Sequence, residues 1–507
     1  MKSDDSSGHD STSLSRRAFL AATGAAAAAA PFLHLEAQVN VSDSPSNSPS
    51  TDDPRSLSLV DLAAATRSGK LQSAFVVRAY LDRINAVNPA LNAVMQIQHD
   101  AAMAKAHEAD KIPREKRGPL HGVPITIKDS LDTAEIISTG GTKGRANYFP
   151  PKDATAVARL KAAGAIILGK SNTPDLTMAF ETNNLVYGRT NNPFDVTRTP
   201  GGSSGGAAAI VAAGGSPLDI GSDTGGSIRV PSHFCGIAGI KPTAGRVSRA
   251  GHIVDFTGPA QSLTHIGPIA KYVDDLAFAL SIIEGPDSID PHVVRAPLGD
   301  HLKIPVRNLR IAYFTKLGSL EPTAETAACV ERSLKTLEAA GCTHSAIQVP
   351  GADDIYAVYT GLLWGDGGAG WARTLAKWGT TESPMFDRIK SATTLSSGDY
   401  SAQYERLDTW RSQLLGIFAA FDVLICPVNI GPAPLHGAVS RPAAAYTQLF
   451  DLTGWPSTVI RAGTSPEGLP LGIQCVAHPW REDISLAVAK HLETAFGHFP
   501  GLRLTGG

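Results

Sequence analysis

Apolar runs of strand length alternate with helical patterns along most of this chain, and that alternation limits its fold more than any other feature. Residues 123–127 (VPITI), 165–168 (AIIL), 309–314, 421–426 and 471–476 are such runs. Residues 56–68, 72–87, 101–110, 155–163, 325–340 and 483–496 instead carry apolar side chains at helical spacing, for example Leu59, Leu62 and Ala63, then Phe75, Tyr80, Leu81 and Ile84. The pattern over 155–163 ends at Gly164 and a strand follows at once, which is half of a βαβ unit. Such alternation predicts an α/β fold with a mixed, largely parallel central sheet flanked by helices and buried on both faces. Proline and glycine clusters do not cut the body, so residues 56–507 read as one large domain, with a looser lobe near 280–400.

The beginning of the chain follows different rules. Ser15, Arg16, Arg17, Ala18, Phe19 and Leu20 precede an apolar, alanine-rich stretch to Leu35. Paired arginines before a mild apolar segment read as a twin-arginine export signal over residues 1–37, with the export machinery as a partner and a periplasmic or secreted destination. The stretch is too short and too weakly apolar to span a bilayer, and no other run of that kind occurs, so stable membrane insertion is not expected. Residues 38–55, rich in Ser, Pro, Asn and Asp, read as a disordered linker. Lys and Arg number 45 against 47 Asp and Glu, so no basic surplus points to nucleic acid. Cys235, Cys329, Cys342, Cys426 and Cys475 are scattered and never spaced CxxC, which argues against a zinc site or a disulfide framework.

Chemistry concentrates between residues 199 and 243, TPGGSSGGAAAIVAAGGSPLDIGSDTGGSIRVPSHFCGIAGIKPT. Two Gly/Ser clusters bracket a helical pattern at 207–213. Consecutive backbone N–H groups around Gly225, Gly226 and Ser227 could converge on one point, as an oxyanion hole requires. A connector between packed elements is the competing reading of such a cluster. Residues 201–205 also fit G-x-S-x-G, but no apolar strand leads into them, as a nucleophile elbow demands. Residues 164–171 fit the fixed positions of a P-loop, yet their interior is Ala-Ile-Ile-Leu, a strand where the phosphate-cradling loop belongs. Lys128 ends an apolar strand, near the mouth of a sheet where α/β sites form, although most lysines are simply solvated. His121, His233 and His265 are further candidate bases that no spacing distinguishes.

Taken together, these segments resemble the amidase signature family of serine hydrolases. The similarity rests on GGSSGG and SDTGGSIRVPSHFCGIAGIKPT, and on HGVPITIKDS (121–130), GAIILGKSNTPDL (164–176), GPIA (267–270), LTGWPSTVI (452–460) and GLPLGIQCVA (468–477), in the family's order over roughly residues 56–497. The resemblance implies the amidase signature fold and a Ser–cis-Ser–Lys triad: Lys128 as base, Ser203 as bridging serine and Ser227 as nucleophile. It also implies an oxyanion hole from the amides of Thr224, Gly225, Gly226 and Ser227, a cis Gly202–Ser203 peptide, and no metal or cofactor. Asp223 and Arg229 read as a supporting pair. A lysine can act as base only when neutral, so burial must depress its pKa.

The implied reaction is hydrolysis of a small-molecule carboxylic amide through an acyl-enzyme on Ser227. A urethane or ester hydrolase would use the same triad. An A-type subunit of a tRNA-dependent amidotransferase is the other family alternative, and an export signal argues against it. A silent binding protein is disfavoured by the intact Lys128, Ser203 and Ser227. Met178, Ala179, Phe180, Thr182 and Tyr187 are expected to line the acyl pocket, with Tyr356, Tyr359, Leu362, Leu363, Trp364 and Trp371 opposite. Such an apolar pocket favours aryl or fatty acyl amides. A homodimer is compatible with the sequence.

Overall fold

A computed structural model describes residues 53–255, 257–258 and 260–497. The export signal and residues 38–52 of the linker lie outside the described residues. The last linker residues do not: Asp53 accepts a hydrogen bond from the Arg55 amide and caps a short 3-10 turn, Pro54–Ser56, whose proline is buried. All described residues belong to one unit, Ser50–Gly507.

Eleven strands form one sheet. In chain order they are β1 (Val94–Met95), β2 (Pro124–Lys128), β3 (Ile166–Ser171), β6 (Leu218–Asp223), β7 (Ala238–Lys241), β8 (His265–Ala270), β9 (Arg310–Tyr313), β10 (Thr343–Ala346), β11 (Val423–Pro427), β12 (Ser457–Thr464) and β13 (Pro470–Ala477). A separate hairpin of β4 (Asn183–Asn184) and β5 (Gly188–Arg189) completes the set. The spatial order is β1-β3-β2-β6-β8-β7-β12-β13-β11-β9-β10. The α/β class and the mixed, helix-flanked sheet agree with the sequence. Parallel pairing, however, is confined to two sectors, β3-β2-β6 and β11-β9-β10. The centre, from β6 through β8, β7, β12 and β13 to β11, is antiparallel. Connection length explains part of this: β12 and β13 are joined by residues 465–469, too short for the crossover that a parallel pair needs.

β2 and β6 are buried at every position, as expected of strands covered on both faces. Their parallel pairing brings two strand C-termini together, Lys128 on β2 and Ser222–Asp223 on β6. Crevices at such ends are where open α/β sheets bind ligands. Beyond this edge lies a helical cap, Ile355–Trp364, Ala369–Lys377, Met385–Ser391 and Ser397–Phe418. Its apolar side chains, among them Leu362, Trp371, Leu407 and Phe418, form a second hydrophobic cluster that reaches Met178, Tyr446 and Phe450. The lobe expected near 280–400 is thus a packed cap, shifted toward residues 355–418. Among the described residues, no helix is long and apolar enough to cross a membrane. The five cysteines are buried and free.

Candidate functional site

Lys128, the last residue of β2, is fully buried. Its Nζ lies 2.7 Å from Ser203 Oγ, 2.9 Å from Ser204 Oγ and 2.9 Å from Ser222 Oγ. Burial pushes the amine down to about 7, against the upward pull of Asp223 and Asp219. Burial also pushes the Asp219 carboxyl up to about 7, which weakens that pull below neutrality. Ser203 and Ser204 sit in the turn before the helix Gly205–Ala212. The Gly202–Ser203 peptide is cis, as the resemblance implies. Thr182 Oγ1 fastens this turn, donating to Gly201 O and accepting from the Gly205 amide.

Ser227 lies between β6 and the helix Arg229–Cys235 and is 5% exposed at the floor of a cleft. Its carbonyl accepts from the Ser204 amide at 3.1 Å, which ties the two serine-bearing turns together. No direct Ser203–Ser227 hydroxyl hydrogen bond is present among the described residues. Asp223 organises the turn from beneath. Its Oδ1 accepts from the Gly226 amide at 2.6 Å, and its Oδ2 from the amides of Ile228 and Arg229. Arg229 pairs with both Asp223 and Asp451, all three fully buried. Burial alone would raise the Asp223 carboxyl, but the charge and hydrogen bonds of Arg229 outweigh it and hold it well below the carboxylate range. Asp223 and Arg229 are thus the supporting pair expected.

Of the four amides that the resemblance assigns to an oxyanion hole, that of Gly226 donates to Asp223, while those of Thr224, Gly225 and Ser227 bond to no described residue. Gly226 has φ +123°, and a Cβ there would come within 2.3 Å of Thr447 Oγ1, so only glycine fits. Thr447 Oγ1 in turn donates to Gly225 O.

The cleft above Ser227 has a volume of about 410 Å³. Met178, Ala179, Phe180, Tyr356, Tyr359, Leu363 and Trp364 line it, as expected. Thr182 and Tyr187 do not: Thr182 is buried under the glycine turn, and Tyr187 turns away within the β4–β5 hairpin, where its hydroxyl meets Gln96. Leu362 and Trp371 belong to the cap interior. Sequence reasoning missed the polar lining, for which no local pattern existed. Arg388 stacks over Trp364 with 4.4 Å from guanidinium to ring and donates to Met178 O. It ion-pairs with no carboxylate among the described residues; burial, then the like charge of Arg441, holds it below its usual range. The side chains of Gln448 and Thr177 and one oxygen of Asp175 are buried without a hydrogen-bond partner and line the same cleft.

The other sequence candidates fall away. The P-loop lysine, Lys170, lies within β3 and donates to Thr133 Oγ1 and Ser138 Oγ, so no phosphate loop exists there. His233 is held between Gly431 O and the Gly472 amide. His121 and His265 make no hydrogen bond to Ser203 or Ser227 among the described residues.

A family model described as Amidase matches residues 75–486. The chain is 36% identical over 481 residues to the A-type subunit of glutamyl-tRNA(Gln) amidotransferase from Oleidesulfovibrio alaskensis, covering 87% of this chain and 98% of that protein. Among solved structures, it is similar to 6-aminohexanoate cyclic dimer hydrolase in complex with substrate (TM-score 0.80, 27% identity, 88% of this chain and 98% of that one). It is equally similar in fold to a chain from a vestigial complex that bears on the origins of an s-triazine catabolic enzyme (TM-score 0.80, 30% identity, 88% and 100%).

Proposed function

This chain belongs to the amidase family, and from that premise we propose that it cleaves a carboxylic amide C–N bond through an acyl-enzyme on Ser227. The observation that carries the reading is a fully buried lysine amine, held near neutrality's pKa and surrounded by serine hydroxyls at the end of β2. Ser227 Oγ attacks the carbonyl carbon while its proton passes through Ser203 to Lys128. The carbonyl oxygen, now an anion, is received by the amides of Thr224, Gly225 and Ser227. The C–N bond breaks as Lys128 returns the proton, through Ser203, to the leaving nitrogen. Water then attacks the ester, giving up its proton along the same path, and the acid leaves with Ser227 restored. Arg388, half-buried and without a carboxylate partner, favours a substrate that carries a carboxylate of its own, beside an apolar stretch over Phe180, Leu363 and Trp364. This narrows the aryl or fatty acyl amides expected from an apolar pocket.

A second reading is an amidotransferase A-type subunit, which the 36% identity across nearly the whole relative supports. In that case the nitrogen released is delivered to a partner chain. The comparisons favour this second reading; the stand-alone enzyme draws on export, itself a proposal that rests on Arg16 and Arg17 alone. The test is a panel of carboxylate-bearing amides, their neutral counterparts, a urethane and matching esters, run with the purified chain alone. Wild type is expected to turn over the carboxylate-bearing amides. Ser227→Ala should lose both turnover and labelling by a fluorophosphonate probe, and Arg388→Met should raise KM for the carboxylate-bearing amides about 10–100-fold, with neutral ones little changed. Turnover that appears only with added partner subunits would favour the amidotransferase, and a urethane or ester turned over in preference to every amide would favour the hydrolase alternative.

A further inference from the structure

Lys128 touches three hydroxyls within 2.9 Å, with Ser222 O a longer contact at 3.5 Å, and a neutral amine has two N–H bonds and one lone pair. For it to act as a base toward Ser203, the other two hydroxyls must accept from it, leaving the lone pair for the Ser203 proton. Ser204 does so: its Oγ lies 3.2 Å from Ser222 O, a carbonyl that can only accept, so its own proton points there. For Ser222 the deciding group is His252, on the loop after Arg249. His252 Nδ1 lies 2.7 Å from Val254 O, and an oxygen at that distance can only accept, so Nδ1 carries the proton. The Val254 amide N–H also points at this nitrogen, at 3.2 Å, but the 2.7 Å approach of the carbonyl is the shorter and would be a repulsion between lone pairs were Nδ1 bare. Nε2 is then bare, and Ser222 Oγ, 3.0 Å away, donates to it. Ser222 is thereby left to accept from Lys128.

We infer that His252 is a positioning residue for the base: its tautomer sets the direction of the chain Lys128 N–H to Ser222 Oγ, Ser222 O–H to His252 Nε2, and so aims the lysine lone pair at Ser203. His252 makes no hydrogen bond to Ser203 or Ser227 among the described residues. It is buried, and burial pushes its imidazole down to about 3, which keeps it a neutral acceptor at every working pH. The charged groups around it, Lys128 on β2, Arg145 and Arg249, all oppose its protonation. Those that face Lys128 are Asp223 and Asp219, both on β6.

The inference rests on the acyl-enzyme reading, and the experiment separates the two. Wild type, His252→Leu, His252→Gln, Ser222→Ala and the double variant are compared by kcat, KM and the pH profile of kcat/KM, with active sites counted by fluorophosphonate labelling of Ser227. Leucine removes the acceptor, so Ser222 turns its proton onto the lysine lone pair. Per labelled site, kcat should fall about 10–100-fold with KM unchanged, and the acid limb should move to lower pH because the neutral amine is now the hydrogen-bonded form. Glutamine can accept from Ser222 through Oε1 and donate to Val254 O, so it should restore both. In the Ser222→Ala background, His252→Leu should cost nothing more. A leucine variant with wild-type kcat and limb overturns the inference. So does a glutamine variant as slow as leucine with an unmoved limb, or additive losses in the double variant. Should leucine fail to fold, the glutamine variant and the Ser222→Ala pair decide. Absence of any Ser227 labelling in wild type would remove the acyl-enzyme reading, and the inference with it.

Discussion

Two buried lysines stand on neighbouring parallel strands, Lys128 at the end of β2 and Lys170 near the end of β3, and their surroundings divide them. The register sets Lys170 opposite Ile127, so the two are one residue out of step, and the pleat gives them different neighbours. Burial lowers both, Lys128 to about 7 and Lys170 to about 8. Lys170 donates to a main-chain carbonyl, Leu131 O, and to the hydroxyls of Thr133 and Ser138, with Asp129 first among the charges that hold it up. A carbonyl can only accept, and the hydroxyls of Thr133 and Ser138 turn their own protons onto Leu131 O and Ile136 O, so all three partners accept from that amine and none hands it a proton. Lys128 has a carbonyl only at 3.5 Å, Ser222 O, and among its closer hydroxyl partners Ser203 donates to no other described group, so its proton is the one Lys128 can take. Burial and a lowered pKa are therefore not sufficient to make a base. What distinguishes a working lysine is a partner able to hand it a proton.

Exchanging each lysine for an isosteric apolar residue separates the two roles most strongly. Lys128→Met should lower kcat/KM about 10³–10⁴-fold, the scale of a lost general base, while the protein stays folded. Lys170→Met should leave kcat/KM per labelled Ser227 within about threefold. It should instead lower stability by roughly 1–3 kcal/mol, because Thr133, Ser138 and Leu131 O lose a buried partner. Steady-state kinetics alongside chemical denaturation checks both. Equal kinetic losses would erase the distinction drawn from their partners.

The pH profile sharpens the same contrast. Below about 7 Lys128 is an ammonium and cannot accept from Ser203, so kcat/KM should fall as pH drops through that value and level off above it. Lys170, which titrates near 8, should leave no inflection. A profile flat from pH 5 to 9 would exclude Lys128 as the titrating base, and a second rise near 8 would give Lys170 a part in the reaction.

How much of this was legible in the sequence follows from the range of the contacts. Helices and buried strands are local, and the alternation from residue 123 onward carried the α/β class. Strand order is not local: Lys128 and Ser203 are 75 residues apart and meet because the helix that follows Ser203, Gly205–Ala212, packs on both β2 and β6. On its own pattern Lys128 was only a charge at a strand end, and the triad came from the family resemblance. The antiparallel centre of the sheet was hidden because a fully buried strand reads alike in either direction. Thr182 and Tyr187 failed as pocket residues because nearness to the glycine cluster in sequence is not nearness to the cleft, the chain turning away through β4 and β5. Arg388 and Gln448 approach the cleft from a cap helix and from Ala445–Thr453, where nothing local marks them.

The smallest effect tests which group owns the acid limb. Asp219 is buried on β6, accepts from Thr126 Oγ1 at 2.6 Å, and is itself raised to about 7 by burial. Its titration therefore overlaps that of Lys128. When ionised it favours the ammonium and so raises the lysine. Asp219→Asn keeps an oxygen for Thr126 and removes the charge. If Lys128 is the group seen, the limb should survive and move to lower pH by less than about one unit, since the favouring charge is gone, with the alkaline plateau of kcat/KM within about threefold of wild type. If Asp219 is the group seen, the limb should vanish. A limb that neither moves nor vanishes would mean that Asp219 stays uncharged across the range, and that the depression of Lys128 comes from burial opposed by Asp223 alone.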